Sequence, residues 1–165
     1  MRLYPNDEKG KEQRMNDHIS LTKKHVERVR YWIGRIVEAL TLAGIQHDAS
    51  KLQEPESTFF ARWHDQLNST KHGTPQYNRI LGQMADGLVL HFQGNRHHPE
   101  HHFDGIAGMN LIDLTEMICD WLAASDRKGE TINWPYASER FGIEPQLLAI
   151  LKNTEIAMRN GEIGS

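Results

Sequence analysis

Apolar residues in this chain recur at intervals of three and four, and no window of four to eight residues alternates strictly between apolar and polar. That pattern fits the buried face of a helix and does not fit a half-buried strand. The clearest run is Val26, Val29, Ile33, Ile36, Val37 and Leu40. It predicts a helix from Leu21 to Ala43, about 34 Å long at roughly 1.5 Å per residue, stopped by Gly44. Residues 49–67 read as mainly helical, broken near Pro55, with Phe59, Phe60 and Trp63 as a buried stripe. Thr74 can cap free amides and Pro75 suits a first helical position, so a helix starts there and carries Tyr77, Ile80, Leu81, Met84, Leu88 and Val89 to His91. Gly94 and Asn95 mark its end.

The stretch HHPEHHFDGIAG, residues 97–108, has no period and reads as a loop. NLIDLTEMICDWLAAS, residues 110–125, is apolar on more than one face, which predicts a central, buried helix. Asn133, Pro135 and Tyr136 read as a connection, followed by a short turn from Ser138 or Glu139 to Gly142. Leu147, Ile150, Leu151, Thr154 and Met158 define a last helix that Gly161 terminates. The expected fold class is all-α: a single compact domain of about six helices over residues 18–160, with a polar lead-in at 1–17 and a tail at 161–165.

A chain of 165 residues with 38% hydrophobic and 25% charged residues has material for one core and is too apolar for wholesale disorder. Its formal charge of -3 gives no general electrostatic case for a nucleic-acid backbone as partner. The one cysteine, Cys119, excludes an internal disulfide and a thiolate zinc knuckle. No run approaches the roughly 18 apolar residues of a membrane helix, and the start MRLYPNDEKGKEQR has no apolar segment of signal-peptide kind, so cytoplasmic residence is expected. What stands out is the histidine content, 10 residues unevenly spread.

Four groups can carry chemistry: His25 in the first long helix, the pair His47-Asp48, the group His91, His97, His98, Glu100, His101 and His102, and Asp120 in the central helix. Imidazole and carboxylate hold divalent ions of the zinc, manganese and iron kind. Because the groups are far apart in sequence, a site must form where several helices converge. Each group also has a plain structural reading. His25 can flank an apolar face, Asp48 can cap the helix holding Lys51, and HHPEHH can be a surface loop. Asp120 is the hardest to read that way, since it sits among Met117, Ile118, Trp121 and Leu122, where an uncompensated carboxylate is expensive. Asp113 and Glu116 share its helical face and can orient ligands.

A histidine in an early helix, then His47-Asp48-Ala49-Ser50-Lys51, further histidines and an aspartate in a late buried helix together resemble the HD-domain metal-dependent phosphohydrolases. The resemblance implies primary ligand roles for His25, His47, Asp48 and Asp120, with His91 and His97 or His98 as extra ligands of a two-metal member. The stretch HHPEHHFDG is also similar to the signature of the cyclic-dinucleotide phosphodiesterase branch, but the proline, the doubled histidines and the missing Gly-Tyr-Pro depart from it, and that substrate is not carried over. A closer likeness is to a family of short phage and bacterial proteins, over roughly residues 18–156, through the HDASK, Asn95 to His102 and EMICDW segments. That likeness implies the fold and metal site and, for a phage-encoded chain, the host cytoplasm; it supplies no function.

An HD-like site implies one or two divalent ions, Mn, Mg, Zn, Co or Fe, activating water against phosphorus in a small phosphorylated substrate, a nucleoside monophosphate or deoxynucleoside triphosphate. In that mechanism Asp48, Lys51, Glu100 and His72 are the catalytic candidates, and Lys51, Arg79, Arg96, Arg127 and Tyr77 the substrate-binding ones. Trp121 is a further stacking candidate. Two other functions fit the same residues: a di-iron oxygenase of the HD fold, and a metal-stabilised binding protein without catalysis. The apolar Phe59, Phe60 and Trp63 suggest a homodimer.

Overall fold

A computed structural model describes residues 8–161, and among them every regular element is helical. The elements are α1 (Glu8–Gln46), α2 (Glu56–Ser69), α3 (Pro75–Gln83), α4 (Ala85–Gly94), α5 (Leu111–Lys128), α6 (Trp134–Phe141) and α7 (Pro145–Asn160). Short 3-10 turns at Ala49–Leu52, Pro99–His101 and Gly105–Gly108 punctuate the connections. The all-α expectation holds, and among the described residues no helix is long and apolar enough to cross a membrane.

The backbone contacts divide the chain inside α1, between Thr41 and Leu42. The described part of the first unit is a single helical stretch, residues 8–41. It starts well before the Leu21 expected from periodicity. Residues 8–17 are helical because Lys11 pairs with Glu8 at 2.7 Å and Gln13 donates to Asp17 at 2.8 Å, one-turn contacts that support a polar helix. The rest of the expected lead-in, residues 1–7, and of the tail, residues 162–165, lies outside the described residues. Gly44 does not stop α1 either, since the helix continues to Gln46.

The second unit holds the core. Met117 and Ile118 of α5 pack with Trp134 and Ala137 of α6, Ile132 and Ile143 in the connections, and Leu151 of α7. Each fully buried side chain of this size stabilises by about 1.5–3 kcal/mol relative to exposure. Asn110 starts α5 with a capping box: its side chain accepts from the Ile112 and Asp113 amides, and the Asp113 carboxylate accepts from the Asn110 amide at 3.1 Å. Gly129, at φ 64, ends it.

Two expectations are corrected here. Helix α6 begins at Trp134 and not near Ser138, because Asn133 caps it by accepting from the Tyr136 amide and Pro135 sits in its first turn. The helix expected from Pro75 to His91 is two helices meeting at Met84, whose amide reaches both the Ile80 and Leu81 carbonyls and whose side chain is buried. Thr74 caps α3 as expected.

Helices α2 and α4 approach closely at Gly87. A Cβ there would run into the Phe59 ring. Phe59 thus packs inside the second unit, and Phe60 stands edge-on to the His91 ring at 5.2 Å.

Candidate metal centre

Three stretches of the second unit supply the site. The first is the turn after α1. Asp48 adopts the left-handed conformation, φ 53 and ψ 17, and begins the turn Ala49–Leu52 without using its side chain as a cap. A residue other than glycine held there is strained, and such strain concentrates at functional positions. The second stretch is the last turn of α4 with the loop after it, which carries His91, His97 and His98. The third is α5, where Glu116 and Asp120 are one turn apart on one face.

The donor atoms converge. Asp48 Oδ1 lies 3.3 Å from His91 Nε2 and 3.6 Å from His97 Nε2. Asp48 Oδ2 is 3.6 Å from His47 Nε2, which is itself 3.6 Å from Asp120 Oδ1. His91 Nε2 and His98 Nε2 are 2.9 Å apart. Asp48, His91, His97 and His98 thus form a group of ligand atoms close enough to hold an ion.

Buried carboxylates behind the rings fix which nitrogen faces inward. Glu116 Oε1 accepts from Nδ1 of both His47 and His97, each at 3.0 Å. Glu56 Oε2 accepts from His91 Nδ1 at 2.8 Å and from the Ser50 hydroxyl at 2.9 Å. Asn95 donates to Ser50 Oγ at 3.0 Å and to the His91 carbonyl at 2.8 Å, closing this network. An ionised carboxylate can only accept, so Nδ1 carries the proton and the Nε2 of a neutral ring presents its lone pair inward.

Among the described residues, Asp48 Oδ1 and His97 Nε2 are buried and have no hydrogen-bond partner. They face one another at 3.6 Å. Two acceptors left together out of water are costly unless a cation joins them. The donor chemistry fits a divalent ion with nitrogen and oxygen preference, and this cluster could hold one.

The electrostatics agree. The hydrogen bond to Asp120, helped by Glu116 and Asp48, raises His47 to about 9 against the opposing effect of burial. Burial together with the neighbouring His97 and His91 pushes His98 down to about 3. Burial and the charge on His47 likewise lower His97. Burial would raise the Asp48 carboxyl, but the adjacent His91 and the Lys51 ammonium outweigh it and hold it well below the ordinary carboxylate range. A proton on His47 therefore supplies the positive charge between the carboxylates. A divalent ion would displace it, so ion binding should release protons.

Beside the cluster lies a cavity of about 270 Å³, reached by Lys51, His91, His98 and Asp120. Lys51 Nζ is 2.6 Å from Asp48 Oδ2 and 4.8 Å from the Phe60 ring centroid. His72, Tyr77, Arg127 and Glu100 also line it. Burial lowers the His72 pKa and raises that of Tyr77.

Of the residues expected to bind metal, His47, Asp48, His91, His97, His98 and Asp120 come together, so His97 and His98 are both in place. His25 is an exposed residue of α1 in the first unit and joins no metal-capable group among the described residues. Glu100 does not hold a ring nitrogen, because Arg140 of α6 takes its carboxylate at 2.7 Å. Arg96 is committed to Asp113 through two bonds of 3.0 and 2.8 Å, and neither it nor the exposed Arg79 lines the cavity. Glu56, Ser50 and Arg140 were missed. An acid in the first turn of a helix looks like ordinary dipole compensation, and only the fold brings Glu56 to His91.

The family of unknown function DUF5662 matches residues 14–156 of the chain. No curated protein and no solved structure matches it.

Proposed function

Since the chain belongs to DUF5662, a family of unknown function, its activity has to be read from the site, and we propose that it is a divalent-metal-dependent hydrolase of a small phosphoester. The observation that carries this reading is the pair of buried, unpartnered acceptors, Asp48 Oδ1 and His97 Nε2, in a cluster whose His91, His98 and Asp120 line a cavity together with Lys51. The resemblance of His47-Asp48, the later histidines and Asp120 to the HD-domain phosphohydrolases supports the same reading.

In it, His47, Asp48, His91, His97, His98 and Asp120 hold one or two ions, while Glu116 and Glu56 keep the imidazoles in the ligating tautomer. Four imidazoles favour Zn, Mn, Co or Fe over Mg. A bound ion would supply a water of lowered pKa and would neutralise charge on the phosphoryl oxygens. Lys51, whose ammonium sits against Asp48 at 2.6 Å, contributes a compact positive charge next to that phosphoryl group. Tyr77, half-buried in the lining, offers a phenolic donor to the rest of the substrate.

The test combines metal analysis with phosphate release from a panel of nucleotides and simple phosphoesters. The expected result is at least one ion per chain and phosphate release that Lys51→Ala lowers about tenfold or more, roughly 1.4 kcal/mol, with metal content near wild type. Phosphate release from none of the panel by the metal-loaded protein would overturn the hydrolase. Oxygen consumption by protein purified with iron would favour the oxygenase built on the same donors.

A further inference from the structure

The charges around the cavity are already balanced. Its ionic lining consists of Lys51, Arg127 and Arg140 against Glu100, Asp120 and Glu130. Lys51 is bound to Asp48 at 2.6 Å and Arg140 to Glu100 at 2.7 Å, so among the described residues Arg127, which is exposed, is the lining cation without an ion pair. Burial and the neighbouring Lys128 keep His72 neutral. A second or third phosphoryl group reaching into this space would find the inner cations already paired, Arg140 with Glu100 and Lys51 with Asp48, and would bring charge that neither is free to offset.

The rest of the wall is uncharged, a flat aromatic and apolar side facing the hydroxyl and amide groups of Tyr77, Ser125, Thr131, Asn133 and Tyr136. Trp121 stacks on Phe141 with ring centroids 5.5 Å apart and planes at 17°, and Phe60, Phe92 and the buried Met84 complete it. The volume of about 270 Å³ is below the roughly 300–1,000 Å³ typical of sites for drug-sized ligands. Flat side chains around a small space favour a flat, uncharged body.

We infer that the substrate is a phosphate monoester of a compact, flat, uncharged alcohol, and that polyphosphates are excluded. This rests on the hydrolase reading above. The single phosphoryl group sits at the donor cluster and Lys51, and the alcohol lies against Trp121, Phe141 and Phe60. In the reaction the oxygen of water bonds to phosphorus, the ester P–O bond breaks, and the alcohol leaves with a proton from that water, giving inorganic phosphate. The selectivity comes from the cavity and not from the ion.

Two measurements on the metal-loaded full chain test this. In the first, naphthyl phosphate, dAMP and dATP are compared as substrates; kcat/KM is expected to be at least tenfold higher for naphthyl phosphate than for dAMP and at least a hundredfold higher than for dATP. In the second, the non-hydrolysable naphthylmethyl phosphonate is titrated calorimetrically into wild type and into Ala124→Trp, which fills the cavity from α5. Wild type is expected to bind, and the variant to lose binding at least tenfold while retaining its metal; Leu81→Trp, which fills the cavity from α3, is the second variant should the first not fold. Phosphonate binding without hydrolysis of any ester would sink the hydrolase and leave the cavity's preference standing. Hydrolysis of dATP as fast as of naphthyl phosphate, or no phosphonate binding by loaded wild type, would overturn the inference.

Discussion

Two histidine pairs lie four residues apart in one loop and have opposite fates. His97 and His98 keep their Nε2 atoms for the site, whereas His101 and His102 each give a ring nitrogen to a backbone carbonyl, that of Phe92 at 3.0 Å and of Arg96 at 2.9 Å. What separates them is the group behind the ring. Glu116 takes the outer nitrogen of His97 and leaves the inner one without a proton, while the second pair ties the loop to the end of α4 and to itself. In this loop His97, held from behind by a carboxylate, turns its free nitrogen into the cluster, whereas His101 and His102, whose ring nitrogens go to carbonyls of the same loop and helix, brace the chain.

The largest expected effect that tests this contrast is on ion uptake. His97→Ala should lower zinc affinity by more than a hundredfold or remove an equivalent of zinc, and His101→Ala should leave stoichiometry unchanged; equal losses in competition titrations against a chelator would erase the distinction between the pairs. Next comes the oriented layer. Glu116→Gln, which disturbs two rings, should weaken zinc by about 10–100-fold, and Glu56→Gln, which disturbs one, by less. If both bound zinc like wild type, ring orientation would have to come from packing alone.

The bracing half should show itself in stability and not in ions. Asp113→Ala removes the reciprocal cap of α5 and the fork from Arg96, and should cost about 1–3 kcal/mol in denaturant midpoints with zinc stoichiometry intact. The smallest effect is with pH. Burial pushes the Asp113 carboxyl up, but the Arg96 fork and the Asn110 amide outweigh it and hold it below its ordinary value. The folded state therefore gains stability above the unfolded carboxyl's pKa and loses it as pH falls through the folded one. Asp113→Asn should flatten that part of the acid limb in a melting series, and an unchanged limb would assign it to other carboxylates.

Much of this was legible in the chain itself. Period and capping residues locate α5 and the Thr74 start of α3, and a carboxylate such as Asp120 amid apolar neighbours flags a site in the sequence alone. Glu116, one turn before Asp120, is readable as a supporting acid for the same reason. The choice among the loop histidines was not readable, since HH is the same dipeptide twice and the groups behind the rings come from α4 and α5. Arg96 looked like a phosphate contact because nothing local reveals that Asp113 folds onto it. The start of α6 was readable after all: Asn133 and Pro135 repeat the cap logic of Thr74 and Pro75, and only the intervening Trp134 hides it.

Gly87 stands one turn before His91 on α4, and Phe59, which presses against it, stands nearly one turn after Glu56 on α2. The spacing between these two helices therefore also sets the length of the Glu56–His91 bond, 2.8 Å. A single methyl group at position 87 would wedge the helices apart, and a few tenths of an ångström is enough to carry such a bond out of its strong range. The orientation of one imidazole in the cluster is thus set by the thickness of a contact that carries no polar atom at all.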